Sequence, residues 1–159
     1  MTIMNTYNDL VSAVADEIKV IVKDFRFKSR SSDEALINVF EGYMPERTSK
    51  KDDENKDYPA IIVRFLSASG NIDKSEKLAK VRIIIGTFNE NSDEGWKENL
   101  GVVTRLEHEL LKRAFIGPFS IEGEVDVELP EEQGVPYWTS AIDIKFTLPQ
   151  TQTEINWEA

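Results

Sequence analysis

From Phe119 to Leu129 the chain alternates without a break. Phe119, Ile121, Gly123, Val125, Val127 and Leu129 take the odd positions, and Ser120, Glu122, Glu124, Asp126 and Glu128 the even ones. Successive side chains of a strand point to opposite faces, so this stretch predicts a β-strand with one buried and one acidic face. A strand needs partners, and the flanking sequence offers them. Residues 137–148 read as a second strand, with Trp138, Ser140, Ile142, Ile144, Phe146 and Leu148 on one face and Tyr137, Thr139, Asp143, Lys145 and Thr147 mostly on the other. The polar stretch PEEQGVP at 130–136 joins the two as a hairpin.

Earlier in the chain, 59–69 (PAIIVRFLSAS) and 78–88 (LAKVRIIIGTF) are rich in β-branched residues and predict a further strand pair across a polar turn at 70–77. Pro59 fits only the first position of its strand. Val81, Ile83 and Ile85 face one way, Arg82 and Ile84 the other, so both faces of this pair need some cover. Residues 35–43 suggest a short additional strand, ended by Gly42 and Pro45.

Two segments carry the helical period instead. Leu10, Val14, Ile18, Ile21 and Phe25 recur at 3.6-residue spacing over 7–25, with Asn5 or Thr6 as the cap. Leu100, Val103, Leu106, Leu110 and Ala114 do the same over 94–115, and Gly117-Pro118 stops that helix. Gly101 inside it costs about 1 kcal/mol relative to Ala, which a close approach to another element would explain. Hairpins imply antiparallel pairing, so the expected architecture is α+β: a twisted, mainly antiparallel sheet with two amphipathic helices packed on one face. Residues 1–149 are expected to form one domain. Residues 46–57 (ERTSKKDDENKD), which lack any hydrophobic residue, are expected to be a mobile loop, and 150–159 a flexible tail.

Chemistry is sparse. The 159 residues include no cysteine, which excludes disulfides, thiolate metal sites and a thiol nucleophile, and one histidine, which excludes multi-histidine metal sites. His108 lies between Glu107 and Glu109, off the apolar stripe, and reads as an exposed helix residue. No glycine-rich phosphate loop or Gly-x-Ser-x-Gly elbow occurs. Asp52–Asn55 lacks the spacing and the closing glutamate of a calcium loop. No apolar run approaches membrane-spanning length, and no basic-then-apolar leader opens the sequence, so synthesis in the cytoplasm is expected. No catalytic residue, metal or cofactor is expected, and the leading class is a structural or interaction protein.

The charge is unevenly placed. Of the net −10, residues 116–159 hold −8, with Lys145 as their only cation. Such a segment repels a phosphate backbone. Glu122, Glu124, Asp126 and Glu128 fit a solvated strand face, the acidic wall of a pore or partner surface, or a metal or glycosidase-type carboxylate pair. Asp143 and Lys145 would lie opposite this row if the hairpin pairs, and Lys145 would then relieve its like-charge repulsion. The short basic run Lys23, Arg26, Lys28 and Arg30 is interleaved by Phe25 and Phe27. It reads as a helix C-terminus, where cations are favourable, ahead of a nucleic-acid patch or subunit contact.

Taken in order, DYPAIIVRF (57–65), KVRIIIGTFNENSDEGWKENLGVVTRLEHELLK (80–112) and ELPEEQGVPYWTSAIDIKFTLP (128–149) resemble small tail proteins of phages and prophages of Gram-positive bacteria. Within that group they most resemble the tail terminator, or tail-completion, type. The resemblance, with the opening helix, spans about residues 5–149. It implies a protomer that forms a closed ring, commonly a hexamer, at the head-proximal end of the tail in the virion. The ring caps the tail tube, stops its polymerisation and joins it to the head–tail connector, while DNA passes through the lumen without specific binding. It implies no catalytic residues. Under it, the acidic row would suit a lumen wall or an outer rim. Arg64 and Arg82 would serve as intersubunit partners for that row. The loop bearing Lys50, Lys51, Asp52 and Asp53 would dock the tube or connector, and Ile155 and Trp157 of the tail would clip onto a neighbour. Another head–tail joining ring protein, an unrelated soluble binding domain and a carboxylate-dependent hydrolase are the competing readings.

Overall fold

A computed structural model of the chain describes residues 6–28, 34–44, 58–71, 73 and 76–149. Thr6 opens helix α1 (Tyr7–Val22). Its hydroxyl accepts from the Asp9 N–H at 3.1 Å, and the Asp9 carboxylate accepts from the Thr6 N–H at 3.1 Å. This reciprocal box satisfies donors that the first turn leaves orphaned. The helix ends three residues earlier than the sequence pattern predicts, yet Phe25 is still buried. Past the end, the Arg26 guanidinium donates to the carbonyls of Lys23 and Phe25 at 2.9 and 3.1 Å, the helix-terminus role expected of the basic run, whereas Lys28 lies in a strand and Arg30 outside the described residues.

Strands β1 (Phe27–Lys28) and β2 (Glu34–Ala35) make a small antiparallel pair. The main sheet uses β3 (Asn38–Glu41), β4 (Ala60–Gly70), β5 (Glu76–Phe88), β6 (Phe115–Ile116), β7 (Phe119–Glu128) and β8 (Tyr137–Pro149), in the order β3-β4-β5-β8-β7-β6. Helix α2 (Ser92–Leu111) connects β5 to β6. The expected α+β class holds, with one addition: β3 runs parallel to β4, which makes the sheet mixed. Parallel neighbours are not joined as a hairpin. Just past β3, Gly42 takes φ +80° and donates its N–H to the Val63 carbonyl at 2.7 Å, so the pairing stops there.

Both helices pack on one sheet face. Ile61, Val63, Val81, Ile83, Ile85, Ile142, Ile144, Phe146 and Leu148 project from β4, β5 and β8 into a core shared with Leu10, Val14 and Ile18 of α1 and Val102, Val103, Leu106 and Leu110 of α2. Arg113 ties the helices together, donating to the Glu17 carboxylate and to the Glu109 carbonyl.

Several local expectations give way. Helix α2 starts at Ser92, two residues before the expected 94, and Asn91 caps it, accepting from the N–H groups of Asp93 and Glu94 at 2.9 and 3.3 Å. The helix ends at Leu111, and Phe115 stands 64% exposed in β6. Gly117 takes φ +59° in the two-residue turn between β6 and β7, so it shapes a hairpin and does not terminate the helix. Gly101 approaches nothing: a Cβ there would meet open space. The close approach belongs to Gly95, where a Cβ would lie 2.1 Å from Nε1 of Trp138.

The alternation of 119–129 is also interrupted. Glu122 pairs with Lys145 and Asp126 with Asp143, so β7 carries two more residues than β8 between these pairs. Gly123, at φ +70°, lies in this bulge. Phe119 is buried and Ile121 and Val125 rest against the core, but Val127 is 40% exposed. The strand's apolar face is therefore covered as far as Val125 and opens at Val127.

Candidate interaction face

The face of the sheet opposite the helices takes its side chains from the even positions of β4 up to Arg64 and of β5, and the odd positions of β8. At the start of β4 it is apolar and covered by the chain itself. Tyr58 meets Tyr137 in a tilted contact with ring centroids 4.8 Å apart, Phe88 meets Tyr137 edge-on at 5.5 Å, and Ile62 is buried. Tyr58 approaches so closely over Gly86 that a Cβ there would sit 2.6 Å from Cε1 of the ring.

Beyond this apolar end the face is ionic. The register lines up Arg64, Arg82, Asp143 and Asp126 on β4, β5, β8 and β7, and Lys80, Lys145 and Glu122 on β5, β8 and β7. The sign of the charge changes from basic to acidic across the strands. Directly opposed like charges are destabilising, and Arg64–Arg82, Lys80–Lys145 and Asp143–Asp126 are all such pairs. Asp143 resolves the first. Its oxygens accept from Nε and Nη2 of Arg82 at 2.8 and 3.0 Å, and Lys80 Nζ lies 3.9 Å away. The bidentate geometry, with the Asp143 side chain 15% exposed, makes this the strongest ion pair of the face. Hydrogen bonding from Arg82, reinforced by the charges of Arg82 and Lys80, holds the Asp143 carboxyl below the usual aspartate range against the opposing effect of burial. The same bond raises Arg82 above its ordinary value.

Arg64 is placed differently. Its Nε donates to the Gly42 carbonyl at 2.9 Å and its guanidinium lies over the Tyr43 ring, 4.1 Å from the centroid. It forms no salt bridge among the described residues. It lines an open groove of about 350 Å³ with Asn8, Val11, Glu41, Tyr43 and Phe65.

On the acidic side, Glu122, Asp126 and Glu128 stand in register with Lys145, Asp143 and Ala141, while Glu124 falls inside the bulge and leaves the row. All four are exposed. The face thus brings Arg82, Lys80, Asp143 and the acidic row together, and sets Arg64 at the far side toward β3. Lys50, Lys51, Asp52, Asp53 and Trp157 lie outside the described residues. Among the described residues no group of three or more histidines and carboxylates could hold a metal ion, His108 is exposed, and no helix is long and apolar enough to cross a membrane.

One buried polar centre escaped the sequence reading. Asn99 of α2 is fully buried, and its Nδ2 donates to the Thr87 hydroxyl at 3.0 Å and to the carbonyls of Trp138 and Ile85 at 2.9 and 3.3 Å. Trp138 in turn donates Nε1–H to the Asn89 carbonyl at 3.0 Å. This cluster locks α2 onto β5 and β8 and so fixes the sheet whose other face is charged. Its signal was available: Asn99 sits one helical turn before Val103 and two before Leu106, a polar residue on the apolar stripe.

The sequence matches no protein-family model and no curated protein.

Proposed function

We propose that the protein is a structural ring component of a phage tail, of the terminator type that caps the tail tube and joins it to the head connector. The observation that carries this reading is the helix-free sheet face: a polar, internally ion-paired surface graded from basic near β4 to acidic along β7. A graded face of this kind suits contact between copies, with the basic flank of one facing the acidic flank of the next, and closure of such head-to-tail contacts yields a ring. The resemblance of residues 5–149 to tail-completion proteins supplies the biological setting. The bulged acidic flank would then border a passage through which DNA slides without adhering.

Native mass is the decisive measurement. A concentration series followed by light scattering, with and without purified tail tubes, is expected to show six copies of the 18.1 kDa chain, about 109 kDa, alone or on tube ends. Tubes capped in this way should stop elongating when more tube subunit is added. A protein that remains a monomer at every concentration and ignores the tubes has another function.

A further inference from the structure

β4 and β5 each place an arginine on the helix-free face, and only one of them is committed to a carboxylate. Arg82 gives Nε and Nη2 to Asp143. Arg64 gives Nε to the Gly42 carbonyl and lies over the Tyr43 ring, and its Nη1 and Nη2 have no hydrogen-bond acceptor among the described residues. A guanidinium held at one nitrogen and stacked on a ring keeps the rest of its fork aimed for a carboxylate. It does so at the edge of the sheet, where β3 has ended at Glu41 and the open groove begins. Val11 and Phe65 line the groove on the helix side, and the Phe65 ring is set by stacking on Tyr7 at 4.7 Å. Glu41 also lines it but forms no salt bridge with Arg64 among the described residues.

The opposite flank of the sheet carries the complement. β6 pairs with β7 only at Phe119 and Ser120, and past the bulge Asp126, Val127 and Glu128 are all exposed. Val127 continues the apolar side of the strand, facing the way the helices lie. Asp126 and Glu128, in register with Asp143 and Ala141, lie on the helix-free side, and neither forms a salt bridge among the described residues. The two flanks thus share one layout. On the helix side one has an apolar wall and the other an exposed valine; on the helix-free side one has an open guanidinium and the other two carboxylates. Arg64 and Asp126 are also the two ends of one register row. We propose that the Asp126, Val127 and Glu128 flank of a second copy docks in the Arg64 groove, with carboxylate on guanidinium and Val127 against Val11 and Phe65.

Within one chain the two sites cannot meet. β4, β5, β8 and β7 hold them apart by three strand spacings of about 4.8 Å, about 14 Å across a hydrogen-bonded sheet. A different patch on each partner makes the contact heterologous, and an approach that keeps the helices of both copies on one side repeats around a ring. Glu122 and Glu124, before and within the bulge, stay outside the contact and are left to the passage. The inference rests on the ring reading in requiring copies, and it names the contact that would join them.

Charge reversal and chemical cross-linking of the full chain test it. Arg64→Glu is expected to raise the concentration at which copies assemble, read by light scattering, by about tenfold or more, and so is Asp126→Arg/Glu128→Arg. The second variant changes only exposed side chains, so its fold is not at stake. All three substitutions in one chain reverse both sides of the contact and should restore assembly. The chain has no cysteine, so Ser12→Cys in the groove and Val127→Cys on the flank, made in separate chains, report the contact directly. Mixed and treated with a short bismaleimide, they should give a linked dimer that neither variant gives alone. Reversals that leave assembly unchanged, reversals that abolish it without rescue in the combined variant, or oligomers whose mixed cysteines do not link each overturn this contact and leave the ring reading standing. A wild type that stays monomeric with and without tail tubes overturns both.

Discussion

A methyl group added at Gly95 would sit 2.1 Å from the indole nitrogen of Trp138, and that ring cannot step aside. Its Nε1–H is committed to the Asn89 carbonyl, and its own carbonyl accepts from Asn99. Overfilling a fixed site costs about 1–3 kcal/mol, so Gly95→Ala is expected to lower stability by that amount. Gly101 lies on the same helix with open space around its Cα and an exposed position. There the methyl meets nothing, and Gly101→Ala is expected to raise stability by up to about 1 kcal/mol, or about 2–4 °C in Tm for a chain of this size. Thermal melts of the two variants side by side check the pair, and equal shifts would mean that the indole contact does not constrain α2. From sequence alone the assignment falls the other way, because the partner that makes Gly95 special lies at position 138. A glycine's intolerance is set by what faces it, and local spacing carries no record of that.

At the level of the elements, Asp143 shows how β5, β8 and β7 share one electrostatic arrangement. It neutralises Arg82 on one side while facing Asp126 on the other. Because its carboxyl titrates below the unfolded aspartate value of about 3.9, its contribution to stability is complete above that pH and drains away as pH falls through the lower folded value. Asp143→Asn should therefore cost about 1.5 kcal/mol at pH 7, the low end for hydrogen bonds to charged groups. Urea denaturation curves of variant and wild type should begin to converge as pH falls below about 4. A gap that persists to pH 2 would assign the loss to packing instead of charge. Most of this arrangement is legible in the sequence. The alternation of β5 and β8 gives both faces correctly, and the placing of Asp143 and Lys145 opposite the acidic row follows from the hairpin. It fails at Gly123, where a left-handed residue and two extra positions interrupt a pattern that looks regular in one letter per residue. A glycine inside a strand pattern is itself the warning. The direction of β3 left no such trace, since four residues alternate alike in parallel and antiparallel pairs.

For the whole molecule, the asymmetry of charge is the property from which function is argued. Its magnitude is fully visible in the sequence, with −8 of the net −10 in residues 116–159. Its placement is not, because only the strand order sets acidic β7 on the opposite side of the sheet from Arg64. Copy number leaves no mark in the pattern either, since the partner's surface is part of what defines it. If the acidic flank borders a DNA passage, it acts by repulsion, and repulsion has a measurable converse. Wild-type protein is expected to leave a labelled DNA duplex unbound even at 50 mM salt, since a protein without phosphate contacts releases no counterions. Glu122→Lys, Asp126→Lys and Glu128→Lys combined would turn three exposed anions of one strand into cations. Each new phosphate contact steepens the dependence of log K on log salt by about 0.9, so three contacts predict a slope near −2.7. Fluorescence anisotropy across a salt titration reads both the affinity and the slope. A shallow slope in the triple variant would mean that the flank is turned away from DNA, which would move the acidic row from the passage to the outer rim.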